Sequence, residues 1–194
     1  MDRIAIVDLG IGNLANVKKA LKGYITSDPY EIEKADKIVL PGVGNFGAVV
    51  DKLAPIKDII IEGINEGKPF LGICLGMQLL FEESEESPGK EGLGIFKGKV
   101  VKLKNVRTPH IGWNQVWIKK ECKLFEGLKN GSYFYFVHSY HAVPQDPDII
   151  ATTTDYENAE FVSSVCFENI FGVQFHPEKS SKNGLILLRN FRRL

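Results

Sequence analysis

The chain has 194 residues, 44% of them hydrophobic, enough for a full core in one domain over residues 1–194. Its 24 basic and 24 acidic residues cancel without forming a like-charged block, which argues against nucleic-acid or membrane partners. Three cysteines (74, 122 and 166) at unrelated spacings argue against a disulfide framework, and no apolar run approaches the roughly 20 residues that span a bilayer, so a cytoplasmic protein is expected.

Arg3–Asp8 reads as a buried strand rather than a leader peptide. Gly10-Ile-Gly12-Asn-Leu-Ala15 follows it in the form of a dinucleotide-binding loop, with Asp28 near the spacing of a ribose-binding acid. Such a unit needs a clearly apolar second strand, and Gly23-Tyr-Ile-Thr-Ser-Asp28 is barely one, so no cofactor is expected. Leu14, Val17 and Leu21 give a helical stripe, and Lys37–Leu40 predicts the next strand, ended by Pro41-Gly42. A helical pattern runs from Phe46 to Ile64, broken or kinked at Pro55. Lys68–Ile73 predicts a further strand, and Met77, Leu79, Leu80 and Phe81 predict the helix after it.

Ser84 to Gly92 is polar and turn-rich, hence a surface loop, and beyond it the period changes to two. Val100–Leu103, Val116–Ile118, Tyr133–Val137, Ile149–Thr153, Phe161–Val165 and Ile170–Phe175 predict strands, several of them antiparallel. Gly184 to Phe191 predicts a closing helix. The expected class is α/β: a mostly parallel central sheet flanked by helices, with antiparallel strands added in the second half.

Gly72-Ile73-Cys74-Leu75-Gly76 places a thiol between two glycines at a strand-to-helix junction, the sequence form of a nucleophile elbow. The elbow lifts the side chain out of the sheet and sets the sulfur against the first turn of the next helix, which favours thiolate. The strand Ile170–Phe175 runs into His176-Pro177-Glu178, a base at a strand tip with a carboxylate two residues on. A cysteine hydrolase needs that pair, the imidazole to move protons and the carboxylate to orient it. Pro41-Gly42-Val43-Gly44 is a loop whose N–H groups can join that of Leu75 in holding an oxyanion. His138 and His141 stand three apart on a strand and point to opposite faces, so no metal is expected there.

Gly-Ile-Cys-Leu-Gly-Met-Gln (72–78) with His-Pro-Glu (176–178) resembles the triad-type class I glutamine amidotransferases. Further segments look like the glutaminase subunit of imidazole glycerol phosphate synthase. They include Gly10-Ile-Gly-Asn13, Pro41–Phe46, Gln78–Ser84, Pro109–Asn114, Tyr135–Tyr140 and His176–Ser181. The resemblance implies the amidotransferase fold and hydrolysis of glutamine by Cys74, His176 and Glu178. It implies oxyanion donors from Leu75 and from Gly42, Val43 and Gly44, with Gln78 contacting substrate. It also implies a heterodimer with a separate (β/α)₈ cyclase subunit of histidine biosynthesis, which 194 residues could not also contain. That cyclase would use the ammonia to make imidazole glycerol phosphate and aminoimidazole carboxamide ribotide. Asn13, Asn16, Trp113 and Lys179 are the residues expected to face it. Two other readings are a stand-alone elbow-cysteine hydrolase of similar fold and a non-catalytic assembly subunit.

Overall fold

The computed structural model describes residues 2–12 and 14–194, so Asn13 lies outside the described residues. Among the described residues, twelve strands form two sheets: β1 (Ile4–Val7), β2 (Tyr24–Thr26), β3 (Lys37–Gly42), β4 (Phe70–Cys74), β5 (Phe81–Ser84), β6 (Phe96–Lys102), β7 (His110–Ile118), β8 (Ser132–His138), β9 (Tyr140–Pro144), β10 (Ile150–Tyr156), β11 (Ala159–Phe167) and β12 (Ile170–Val173). The helices are α1 (Leu14–Leu21), α2 (Pro29–Glu33), α3 (Phe46–Leu53), α4 (Lys57–Asn65), α5 (Leu75–Gln78) and α6 (Ser181–Arg193). The large sheet has the order β2-β1-β3-β4-β12-β11-β10-β7-β8, and β5-β6-β9 forms a small one. Pairings from β2 to β12 are parallel, and those from β12 to β8 are antiparallel.

Burial follows this division. Every residue of β1, β3, β4 and β12 is buried, as in a parallel sheet covered on both faces. β6 and β8 alternate buried with more exposed residues. One core packs under α1 and α6, through Leu14, Val17 and Leu21 and through Leu187, Leu188 and Phe191. The other lies on the opposite face, with Ile32, Phe46, Val49, Ile60 and Ile64. Pro55 does divide the long helical pattern: a 3-10 turn, Ala54–Ile56, separates α3 from α4.

Three local expectations need correction. β3 continues through Pro41-Gly42, pairing Pro41 with Ile73 and Gly42 with Cys74 of β4. Lys37 N–H donates toward β1 and Ile38 N–H toward β4, so by alternation the missing N–H of Pro41 falls on the β1 side. The β1 pairing already ends at Val39, so no ladder bond is lost. The helix after Cys74 is a single turn, and Phe81 begins β5. Leu79, Leu80 and Phe81 are all buried, and the carbonyls of Leu79 and Leu80 are taken by the N–H groups of Leu93 and Phe96. A buried run paired to another segment does not need a helical stripe. The segment 140–144, not read as a strand, is β9, paired to β6. Among the described residues, no helix is long and apolar enough to cross a membrane.

Candidate active site

Cys74 ends β4 with φ 56° and ψ −109°, a left-handed conformation that costs a residue with a side chain about 1–3 kcal/mol. Its neighbours make the turn possible. A Cβ on Gly76 would lie 1.8 Å from the Leu40 carbonyl oxygen, and one on Gly72 would lie 2.4 Å from that of Gly76. Only glycine fits where β3, β4 and the turn approach this closely. The sharp turn presents the sulfur at the C-terminal end of the parallel strands, the usual place for a site in such a sheet.

His176 follows β12, which lies beside β4 in register, with Gly172 opposite Gly72 and Val173 opposite Ile73. Two residues 102 positions apart thus come from adjacent strand ends. His176 Nδ1 lies 2.8 Å from Glu178 Oε1, and both side chains are buried. A carboxylate accepts, so Nδ1 carries a proton and Nε2 is the nitrogen left for Cys74. Among the described residues, neither His176 Nε2 nor Glu178 Oε2 has a hydrogen-bond partner. Burial works against an imidazolium here, but negative charge at Cys74 and the hydrogen bond and charge of Glu178 outweigh it, raising the His176 pKa to about 10.

A cavity of about 300 Å³ opens beside the sulfur, within the range of small-molecule sites. Of the residues expected from the sequence, Val43, Gly44, Cys74, Leu75 and Gln78 line it. Gly42 does not: it is buried in β3, where a Cβ would come within 3.1 Å of the Leu75 side chain. Glu86, Pro109 and Val137 to Tyr140 complete the wall. Gln78 Nε2 donates to the Tyr140 carbonyl and to Gln174 Oε1, both at 3.0 Å, and Gln174 Nε2 lies 3.7 Å from Cys74 Sγ. Gln174 and Glu86 were not foreseen. The signal for Gln174 was its position two residues before His176 on an extended segment, which puts both on one face. A larger cleft of about 790 Å³, lined by Ile64, Phe96, Asn169 and Ile170 among others, lies at the opposite ends of β4 and β12, away from the sulfur.

Trp113 is 52% exposed on β7 and meets the Tyr135 ring edge-on, with centroids 6.1 Å apart. Lys179 is exposed on the 3-10 turn Pro177–Lys179, against which α1 and β8 both pack, and Asn16 is exposed on α1. Asp28 is a helix cap, accepting from Tyr30 N–H at the start of α2. His138 and His141 do not share one strand, as the sequence suggested: His138 ends β8 and His141 lies on β9.

The family model for class-I glutamine amidotransferases matches residues 6–193. The chain is 68% identical to imidazole glycerol phosphate synthase subunit HisH of Thermococcus kodakarensis, covering 98% of this chain and 100% of that one. It is 54% identical to the protein of the same name from Methanocaldococcus jannaschii, covering 97% of each. In fold it is similar to PurLQS from Thermotoga maritima, with a TM-score of 0.75 at 17% identity over 98% of both chains.

Proposed function

The chain belongs to the class-I glutamine amidotransferases and, within them, to the imidazole glycerol phosphate synthase subunit HisH family, and from that premise we propose that it hydrolyses glutamine at Cys74 for a separate cyclase subunit. The observation that carries this reading is the left-handed Cys74, which lines a cavity of about 300 Å³ and lies beside the His176–Glu178 pair.

The Cys74 thiolate attacks the side-chain carboxamide carbon of glutamine. The oxyanion forms beside Leu75 N–H and the Val43-Gly44 backbone. His176 Nε2 gives its proton to the departing nitrogen, ammonia leaves, and a glutamyl thioester remains. The same nitrogen then takes a proton from water, whose oxygen attacks the thioester carbon. Glutamate leaves and the thiolate returns. Glu178 holds the imidazole and balances its charge throughout. Glu86 brings a carboxylate to the cavity wall, a complement for the substrate ammonium.

The released ammonia serves a (β/α)₈ cyclase docked on the face that carries Trp113, Lys179 and Asn16. Docking also regulates hydrolysis. Gly44 has φ +98° and open space where a Cβ would point, whereas Gly42 is packed against the elbow, so peptide rotation is confined to Val43-Gly44. A resting loop that turns a carbonyl inward would lower turnover by about 10²–10³ through one missing donor. The test measures glutamine hydrolysis by the chain alone, with the cyclase, and with the cyclase plus its ligand. A rise across the three is expected. Equal rates would remove the switch and favour a stand-alone hydrolase.

A further inference from the structure

A chain of hydrogen bonds that the triad does not require leads from β7 to the sulfur. His138 Nδ1 lies 2.8 Å from the Tyr140 carbonyl oxygen. A carbonyl only accepts, so Nδ1 holds the proton of this neutral ring and Nε2 is bare. His110 Nδ1 is 3.0 Å from that Nε2 and therefore donates to it, which leaves His110 Nε2 to accept from Asn114 Nδ2 at 3.4 Å. The His110 ring is clamped between Tyr156 and Phe136, with centroids 3.9 and 4.9 Å away. Burial keeps both rings neutral, lowering the pKa of His138 to about 3 and that of His110 to about 4.

The Tyr140 carbonyl also faces the Gln78 carboxamide, and because it only accepts, the atom facing it is nitrogen. The second Nε2 proton of Gln78 goes to Gln174 Oε1. Gln174 therefore presents its own nitrogen to Cys74 Sγ. The Tyr140 carbonyl, held by the His138 donor, thus sets the direction of two amides in succession. It leaves Gln78 Oε1, an acceptor, as the uncommitted atom of that group.

We propose that His138 is a positioning residue for glutamine hydrolysis: its bond holds the Tyr140 carbonyl in the place from which that acceptor orients Gln78 and, through it, Gln174, so that a donor meets the Cys74 sulfur and an acceptor is left for the substrate. The proposal rests on the assignment of Cys74 as nucleophile. A reversed Gln174 amide would place oxygen against the sulfur and oppose thiolate formation. A reversed Gln78 would place nitrogen where the N–H groups of glutamine need an acceptor.

The test compares His138→Leu, which removes both ring nitrogens at similar bulk, with His138→Asn, whose amide nitrogen can take the place of Nδ1. Glutamine hydrolysis is followed with the cyclase subunit present, and Cys74 alkylation by iodoacetamide on the chain itself at pH 7. In His138→Leu the KM for glutamine should rise about tenfold, as expected for a lost oriented contact, and alkylation should slow. His138→Asn should recover most of both. Wild-type KM and alkylation in His138→Leu would overturn the proposal, as would an Asn variant no better than Leu. Nitrogen NMR of the wild-type chain keeps it testable should His138→Leu not fold: His138 must show a neutral ring protonated at Nδ1, and an Nε2-protonated ring overturns the idea. Cys74→Ala runs alongside. Retained hydrolysis there refutes the nucleophile assignment, whereas a dead Cys74→Ala with an unaffected His138→Leu refutes only the positioning.

Discussion

His176 N–H donates to the Tyr135 carbonyl at 2.8 Å, so the proposed catalytic base hangs from β8 as well as from its own strand. Ser180 closes the other side: its hydroxyl donates to the His176 carbonyl at 2.6 Å and accepts from Tyr135 N–H at 2.9 Å. The backbone of His176 is thereby tied to the strand whose neighbouring Tyr133 is exposed.

Ser180→Ala should cost about 1–3 kcal/mol, because the half-buried N–H of Tyr135 loses its acceptor. Turnover should fall as well, since the imidazole then rests on one tether instead of two. Thermal melting and kcat/KM together check this, and a variant that melts lower at full turnover would show that the second tether is purely structural.

Cys74→Ala should lower glutamine hydrolysis by about 10⁴-fold or more, while ammonia-dependent synthesis by the cyclase continues. Cys122→Ala and Cys166→Ala should keep normal turnover, since neither lies at the cavity. An assay supplying glutamine in one arm and ammonium in the other separates these outcomes.

Glu178→Gln should melt near the wild-type temperature and lose turnover by about 10⁴-fold. The amide can offer a donor to Nδ1, which shifts the ring proton to Nε2 and leaves no base facing the sulfur. Wild-type turnover would show that the 2.8 Å contact only shapes the turn.

The raised pKa of His176 predicts a pH dependence of stability. Folding lifts the group from about 6.5 to about 10, so the folded state binds the proton more tightly than the unfolded chain. The resulting stabilisation is fully present below about pH 6.5 and fades as pH rises, disappearing through about pH 10. Urea unfolding of wild type and His176→Gln should therefore give a stability difference that shrinks between those limits. A difference that stays constant across that range would contradict the charge pairing with Cys74 and Glu178.

Trp113→Ala and Lys179→Ala should each weaken binding to the cyclase, the tryptophan by about 2 kcal/mol as an exposed aromatic anchor. Titration calorimetry of the two subunits reads this directly. Unchanged affinity in both variants would move the interface elsewhere.

The sharp turn at Cys74 was legible in the sequence because its demands are local: two glycines, a cysteine between them and a strand before it. The parallel strands were legible because burial on both faces leaves continuous apolar runs such as Ile38–Leu40. Leu79–Phe81 misled for the same reason, since a fully buried segment carries no period to separate helix from strand. Tyr140–Pro144 escaped because its central residue, Ala142, is the one fully buried position among half-exposed neighbours. The spacing of the cysteines could not show that Cys122 and Cys166 meet, an interaction that raises the pKa of the first and lowers that of the second. Nor could it show the run of hydrogen bonds from His110 to Gln174, which joins residues from four separate stretches of chain.

The place of β12 has a consequence for how the protein is made. It is the last of the described strands in chain order, yet it lies between β4 and β11 and joins the parallel half of the large sheet to the antiparallel half. Until residue 173 is available, the nascent chain holds two part-sheets, each with an open edge able to pair with another molecule. Cys74 is synthesised about a hundred residues before the strand that brings His176 beside it. A chain stalled or cut short before residue 173 therefore exposes adhesive edges and lacks His176, so the proposed nucleophile gains its proposed base only as the sheet closes.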